Sequence, residues 1–291
     1  MKKSTSLLLA VLLWGLLVAA AAVLFSRPDV GWQEDAGGRR YVDAFGSNAT
    51  TWQRIDGNTY FFGYDGYLRY GWRHYNNQWY YLGEDGVMRT GWVEYNGHRF
   101  YFGPDGRMLT GWQEIDGKRY LFQEDGAAMT GWQEIDGSWY YFGRQGDLHN
   151  GWVSYNGKRF YFDEDGRMLT GWQEIDGDLC YLRSTGEMHT GWLLDGDCWR
   201  YLDENGVPSV GWVYDSGKWY YMNEDGVMQT GWLKLDDEWY CLGGSGAMRT
   251  GWYEENGNTY YLSQSGRMLT GAQEIDGKSY LFGDDGALIE Q

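Results

Sequence analysis

Few residues in this 291-residue sequence are suited to metal binding or nucleophilic catalysis, because it contains only 3 Cys and 4 His. An odd number of cysteines does not make a disulfide framework, and no Ser or Cys recurs together with a His as a catalytic triad requires. Lys and Arg are also scarce, at 24 against 41 Asp and Glu. So acidic a chain repels phosphate backbones, which argues against a nucleic-acid partner. We therefore expect a protein that is not an enzyme and has no metal or cofactor.

Long apolar runs are absent after residue 25, and the only one follows Lys2 and Lys3. Residues 7–25 carry no charge, and their length approaches that of a membrane-spanning helix. Two interpretations of residues 1–29 stay open: an uncleaved signal anchor, or a signal peptide cut near the alanines at 20–22. Both keep the two lysines inside and place the following chain outside. We expect one N-terminal hydrophobic helix that contacts the membrane, and an extracellular location for the rest.

One short repeat accounts for most of the sequence. Trp recurs at every twentieth position from Trp32 to Trp252, and Ala272 ends the series. A Gly precedes each of these Trp residues except Trp52, which follows Thr51. Self-similarity at a fixed period is the signature of a repeat architecture. Residues 30–291 therefore form about thirteen repeats of one type.

Each repeat has the signature of a two-stranded β-hairpin. In residues 110–122, two short apolar and aromatic runs flank Asp116-Gly117, and such a pair favours a type I′ turn. A second Gly, for example Gly106, recurs at every twentieth position, and we expect it to take a positive φ in the connection to the next hairpin. An isolated hairpin is only marginally stable in water. The hairpins must bury their faces on one another, which predicts an all-β solenoid.

The repeat motif resembles the cell-wall-binding repeat family. It reads Gly-Trp, a turn, Trp-Tyr-Tyr or Arg-Tyr, then Phe-x-x-Asp-Gly-x-Met-x-Thr-Gly-Trp. That family includes choline-binding modules of Gram-positive surface proteins, and similar repeats occur in glucan-binding domains and clostridial toxins. The resemblance implies a superhelix of β-hairpins, ligands held between successive hairpins, and a location at the outer face of a Gram-positive-type envelope. Two partners stay open: choline-substituted teichoic acid, and a glucan or other glycan polymer.

Strand alternation indicates which aromatic residues could surround a ligand. With a turn at residues 76–77, Trp72 and Trp79 lie on one face of their hairpin. The resemblance implies that an aromatic residue of the next hairpin completes the site, so the first predicted site contains Trp72, Trp79 and Tyr101, with Met88 in the linker. The equivalent positions predict three more sites: Trp132, Trp139 and Tyr161; Trp192, Trp199 and Tyr221; Trp232, Trp239 and Tyr261.

The residue type at the position of the second Trp differs between repeats. Arg99, Arg119 and Arg159 occupy it in other repeats, and such repeats look more like the glucan-binding and toxin types. Trp219 also occupies this position, but Cys241 stands where the next hairpin should supply a Tyr. The repeat with Trp219 is therefore not among the predicted sites. The leading hypothesis is a non-enzymatic cell-surface binding protein. The alternative is a structural stalk or adhesin rod in which the aromatic residues serve only packing.

Overall fold

The computed structural model describes residues 29–290, and these residues form an all-β chain of repeated hairpins, as predicted. The predicted N-terminal hydrophobic helix, with its membrane contact, lies outside the described residues. Within residues 29–290, no helix has the length and apolar character needed to cross a membrane.

Successive strands pair two by two, and the last strand joins the final hairpin as a third strand. The strands are β1 (Gly31–Asp35), β2 (Gly38–Val42), β3 (Thr51–Ile55), β4 (Asn58–Phe62), β5 (Gly71–Tyr75), β6 (Gln78–Leu82), β7 (Gly91–Tyr95), β8 (His98–Phe102), β9 (Gly111–Ile115), β10 (Lys118–Phe122), β11 (Gly131–Ile135), β12 (Ser138–Phe142), β13 (Gly151–Tyr155), β14 (Lys158–Phe162), β15 (Gly171–Ile175), β16 (Asp178–Leu182), β17 (Gly191–Asp195), β18 (Cys198–Leu202), β19 (Gly211–Asp215), β20 (Lys218–Met222), β21 (Gly231–Leu235), β22 (Glu238–Leu242), β23 (Gly251–Glu255), β24 (Asn258–Leu262), β25 (Gly271–Ile275), β26 (Lys278–Phe282) and β27 (Leu288–Glu290).

The hairpins belong to two compact units. Among the described residues, the first unit contains residues 29–133 together with 141–148, and the second contains residues 134–140 together with 149–290. Each unit is built from the same hairpin and the same linker, so the contacts described below recur within both.

The hairpin turns have the predicted backbone geometry. Asp116 and Gly117 have φ angles of 52° and 73°, so both central residues are left-handed, as a type I′ turn requires. Gly106 has a φ of 76°, and a Cβ there would overlap the Sδ of Met88. The recurring second Gly is thus needed for its conformation and for the close approach of the preceding linker. Thr51, which replaces the first Gly, keeps a φ of 57°, which is rare for a β-branched residue.

The strand register within a hairpin is also as predicted. In β5 and β6, Trp72 pairs with Tyr81 and His74 pairs with Trp79. Cross-strand partners share a face of the hairpin. Trp72 and Trp79 therefore lie on one face, which we call the Trp face, while Leu82 lies fully buried on the opposite face, the back face.

The core lies between hairpins, because the Trp face of one hairpin packs on the back face of the next. The ring centroid of Trp72 is 4.8 Å from that of Phe100 and 5.7 Å from that of Phe102, and Phe102 is completely buried. The second unit repeats this contact, with 5.0 Å between the rings of Trp232 and Tyr260. Neighbour contacts of this kind are the source of stability in a solenoid.

The linkers hold the hairpins in this arrangement through backbone hydrogen bonds. After β8, the N–H of Leu109 donates to the carbonyl of Tyr101 at 2.9 Å, and the N–H of Met108 donates to the carbonyl of Trp79 at 2.8 Å. One linker is therefore bonded both to its own hairpin and to the hairpin before it. This double attachment brings the Met side chain to the second Trp of the preceding hairpin.

Candidate functional site

An aromatic cavity of about 400 Å³ opens between the hairpin β5–β6 and the hairpin β7–β8. Trp72 and Trp79 form two of its walls, with ring centroids 6.2 Å apart and planes at 83°. Phe100 and Met108 close it from the next hairpin and its linker, and Tyr95 lines one side. Small-molecule sites have volumes of roughly 300–1,000 Å³. The cavity is therefore large enough for a small ligand. Its walls are mostly apolar, because aromatic rings and a methionine make up most of them.

The same cavity recurs in the second unit, eight repeats further along the chain. Trp232 and Trp239 are 6.5 Å apart with planes at 83°, and Tyr260 and Met268 close a cavity of about 340 Å³. These four residues occupy the repeat positions that Trp72, Trp79, Phe100 and Met108 occupy in the first cavity. Two sites of closely similar composition thus arise from the repeat itself.

Two further pairs of Trp residues in the second unit have this geometry. The rings of Trp192 and Trp199 are 6.2 Å apart, and Tyr220 lies 4.7 Å from Trp192. The rings of Trp212 and Trp219 are 6.4 Å apart. The aromatic residue that meets Trp212 is Tyr240, at 5.1 Å, so the Cys that follows it does not spoil the site. Sequence reasoning missed this site because it placed the third aromatic residue one position too late.

In the predicted sites at Trp72, Trp192 and Trp232, the ring that meets the first Trp stands one position before the predicted Tyr. Tyr101, Tyr221 and Tyr261 lie on the Trp faces of their own hairpins and contact Trp92, Trp212 and Trp252 at 5.1, 5.2 and 4.9 Å. Tyr161 likewise contacts Trp152 at 5.0 Å. Side chains alternate between the two faces of a strand, and only the back face meets the preceding hairpin. Phe100, Tyr220 and Tyr260, each just before one of these Tyr residues, are therefore the ones that reach the preceding Trp.

The predicted methionine is displaced by one repeat. Met88 is bonded through its N–H to the carbonyl of Thr59, one repeat earlier, whereas Met108 is bonded to Trp79. A linker serves the hairpin before its own, so the methionine of a site comes from the linker after the next hairpin. The sequence shows which Met belongs to a site only once it is known that the Trp face of one hairpin packs on the back face of the next.

The predicted site of Trp132, Trp139 and Tyr161 stays a prediction. Trp132 belongs to the first unit, where its ring lies 5.2 Å from that of Tyr141. Trp139 belongs to the second unit, where its carbonyl accepts the N–H of Met168 at 2.8 Å. Trp139 has the partly exposed ring typical of this position, since the second Trp residues are between 40% and 43% exposed.

Carboxylates stand beside these rings. Asp125 and Asp285 line the two cavities at equivalent positions. At Trp232, the indole Nε1 donates to Oε2 of Glu255 at 2.7 Å, and the hydroxyl of Tyr253 donates to Oε1 at 2.9 Å. The hydrogen bond from Trp232 and then that from Tyr253 hold the pKa of Glu255 below its ordinary value. The site thus combines electron-rich ring faces with negative charge, which favours a cation.

The cysteines take no part in these cavities. All three, Cys180, Cys198 and Cys241, are free. Burial raises the pKa of the Cys180 and Cys241 thiols, while Cys198 is exposed. Among residues 29–290, no group of three or more His, Cys, Asp or Glu is placed to hold a metal.

A family model described as a choline-binding repeat matches residues 69–110, 109–149, 169–206, 209–250 and 249–290. A model of cell wall binding repeats matches residues 50–68 and 150–168. These matches cover more than half of the chain, and the chain belongs to the choline-binding repeat family. The resemblance inferred from the motif is confirmed. Proteins with such repeats are associated with the surface of Gram-positive bacteria.

Solved structures of similar proteins support the same assignment. CbpJ from Streptococcus pneumoniae TIGR4 is 29% identical, and the match covers 83% of this chain and 100% of that one with a TM-score of 0.72. CbpF in complex with ipratropium is 28% identical over 84% of this chain and 100% of that one, with a TM-score of 0.66. Choline binding protein F from Streptococcus pneumoniae with a peptidoglycan analogue is 30% identical over 89% and 98%, with a TM-score of 0.60. No curated protein matches the sequence.

Proposed function

We propose that this chain is a non-enzymatic binding protein of a Gram-positive-type cell surface, and that it holds the choline groups of teichoic acid between its hairpins. The observation that carries the proposal is the recurring cavity of two Trp rings, one further ring and a Met. Trp72 and Trp79 form it in the first unit, and Trp232 and Trp239 form it in the second.

The chemistry of the cavity suits a quaternary ammonium ion. Such an ion cannot donate hydrogen bonds, so aromatic ring faces are its natural partners, at roughly 0.5–2 kcal/mol for each ring. Asp125 beside the first cavity and Glu255 beside the second add negative charge. The formal net charge of −17 draws cations to the whole molecule.

A glycan polymer is the second candidate. The second Trp residues are 40–43% exposed, and an exposed indole face can stack on a sugar ring. A sugar also needs several hydrogen bonds, whereas rings and a methionine make up most of each cavity wall. Choline is therefore placed first.

Calorimetry with three probes tests the ligand. Choline should bind, and 3,3-dimethylbutan-1-ol, which has the same shape with a carbon in place of the charged nitrogen, should bind at least about tenfold more weakly because it lacks the cation–π term. Dextran tests the glycan. Equal binding of choline and its neutral analogue would contradict the cation site, and binding of dextran alone would move the assignment to a glycan.

A structural rod is the remaining alternative, because the first Trp of each described site also packs between hairpins, as Trp72 does on Phe102. A folded chain that binds none of the three probes would support it.

Whether the N-terminal segment is cleaved or stays as a membrane anchor is a separate question, since residues 1–28 lie outside the described part of the chain. Mass measurement of the mature N-terminus distinguishes cleavage near residue 22 from an intact membrane anchor.

A further inference from the structure

We propose that an arginine at the position of the second Trp closes the site between two hairpins with the protein's own cation. This residue then decides which repeats accept a quaternary ammonium ion. The inference rests on the proposed function, because it concerns the same kind of site in the repeats that have no second Trp.

In these repeats a guanidinium group lies directly over the repeat Trp. The Cζ of Arg99 is 3.9 Å from the ring centroid of Trp92, and that of Arg159 is 4.1 Å from Trp152. Two more repeats show the same contact: Arg39 lies 4.6 Å from Trp32, and Arg119 lies 5.1 Å from Trp112. Distances within about 6 Å of the centroid are those of cation–π pairs.

The other walls of the site around Trp92 are in place. Tyr101 of the same hairpin lies 5.1 Å from its ring, and Tyr120 and Phe122 of the next hairpin lie 4.9 and 5.8 Å away. Trp72 has the same surroundings, with Phe100 and Phe102 at 4.8 and 5.7 Å. What differs is the side chain at the position of the second Trp. The guanidinium of Arg99 therefore covers the Trp92 ring, just as the proposed ligand would cover the Trp72 ring in the cavity beside Trp79.

Arg99 is held firmly in this place. Its side chain is 21% exposed, its Nε is 3.8 Å from a carboxylate oxygen of Glu94, and its Nη1 donates to the carbonyl of Gln145. A cation that belongs to the chain loses no translational freedom when it covers the ring, whereas a free ligand does. Choline in solution would have to displace a group that already has one ion pair, one hydrogen bond and one ring contact.

In two of the repeats whose second residue is neither Trp nor Arg, an arginine of the next hairpin lies over a ring of the site. Leu179 holds that position beside Trp172, and Arg200 from the next hairpin lies 5.6 Å over the Trp172 ring. Beside Trp52, Arg73 of the next hairpin lies 4.5 Å over Phe61, the cross-strand partner of Trp52.

The open cavity at Trp232 remains accessible even though an arginine is near. Arg249 lies 4.4 Å over the ring of Tyr253, but Tyr253 is not part of the cavity wall, which Trp232, Trp239 and Tyr260 form with Met268 and Asp285. The arginine closes a site only where it covers the Trp itself or the ring paired with it.

The test is to open the site at Trp92 in the full chain. The double variant R99W/A128M supplies the second Trp and the methionine of the open sites, because Ala128 stands at the linker position that Met108 occupies one repeat earlier. The count of bound choline per chain, from equilibrium dialysis with radiolabelled choline, should rise by one over the natural protein. R144W, which adds a Trp in an exposed turn of the same unit, is the matched control and should leave the count unchanged.

A second variant guards against misfolding of the first. R99A only empties the place over Trp92, and it should gain one weaker choline site while its circular dichroism stays that of the natural protein. No added site in either folded variant, with the natural protein binding choline normally, would overturn the inference. A natural protein that binds no choline would overturn the proposed function instead.

Discussion

Replacement of Trp79 by Ala tests whether this side chain binds ligand or only packs, because it both lines the cavity and packs against neighbouring side chains. Trp79 is 43% exposed, so somewhat more than half of it is buried, against His74 at 4.9 Å and Trp72 at 6.2 Å. A Trp offers about 150–250 Å², and burial of roughly 85–140 Å² of it is worth at most about 2–3.5 kcal/mol at ~25 cal/mol per Å². In a solenoid such a loss stays local to one pair of hairpins. Trp79→Ala should therefore fold.

The effect on the ligand should be separate from this loss. One ring fewer removes roughly 0.5–2 kcal/mol of cation–π energy, so choline should bind the Trp72 cavity about 2- to 30-fold more weakly. Equilibrium dialysis at a choline concentration that fills the natural sites should show fewer bound molecules per chain, with an unchanged circular dichroism spectrum.

Trp252→Ala is the matched control for this variant. Trp252 is 44% exposed and packs on Tyr261 and Tyr280, but its repeat has Thr259 in place of a second Trp. Trp252→Ala should lower the free energy of unfolding by about as much as Trp79→Ala does, and it should leave choline binding unchanged. Equal loss of choline binding in both variants, or collapse of the fold in Trp79→Ala, would refute the separation of the two roles and support the structural rod.

Three further predictions concern the backbone, the carboxylates and the thiols. Thr51→Gly should raise the free energy of unfolding in urea by about 1 kcal/mol, because Thr51 has a φ of 57° and an L-residue pays about 1–2 kcal/mol there, partly offset by the entropy of Gly. Gly111→Ala, at a φ of 69° with open space for a Cβ, should lower it by a similar amount, and effects of the opposite sign would contradict this account. The pKa of Glu255 is lowered in the folded chain, so its stabilising hydrogen bonds are present above the ordinary glutamate value of about 4.3 and are lost as the pH falls through the folded-state value. A choline titration against pH should show this step in the natural protein and lack it in Glu255→Gln; the same profile in both would exclude Glu255. Iodoacetamide should modify the exposed Cys198 quickly and spare Cys241, which is 2% exposed with a raised pKa, and peptide mass mapping that finds both modified in the folded protein would contradict the described burial.

Much of the fold follows from the sequence alone, because a hairpin is decided by local rules. Asp116-Gly117 specifies a turn that only residues tolerant of positive φ can make. Once the turn is fixed, the alternation of side chains places Trp72 and Trp79 on one face, and the structure has that register. The regular recurrence of the motif then extends the same hairpin along the chain.

The contact between hairpins was decided only by the tertiary structure. Phe100 and Tyr101 are adjacent aromatic residues, and nothing local says which of the two meets Trp72. The linker settles it: the N–H of Met108 bonds to the carbonyl of Trp79, and this turns the back face with Phe100 toward the Trp face. The same packing selects Met108 over Met88 in the site. The repeat period specifies each hairpin but not which of its two faces the neighbour covers, and that choice depends on side-chain shape and backbone bonds between segments far apart in the chain.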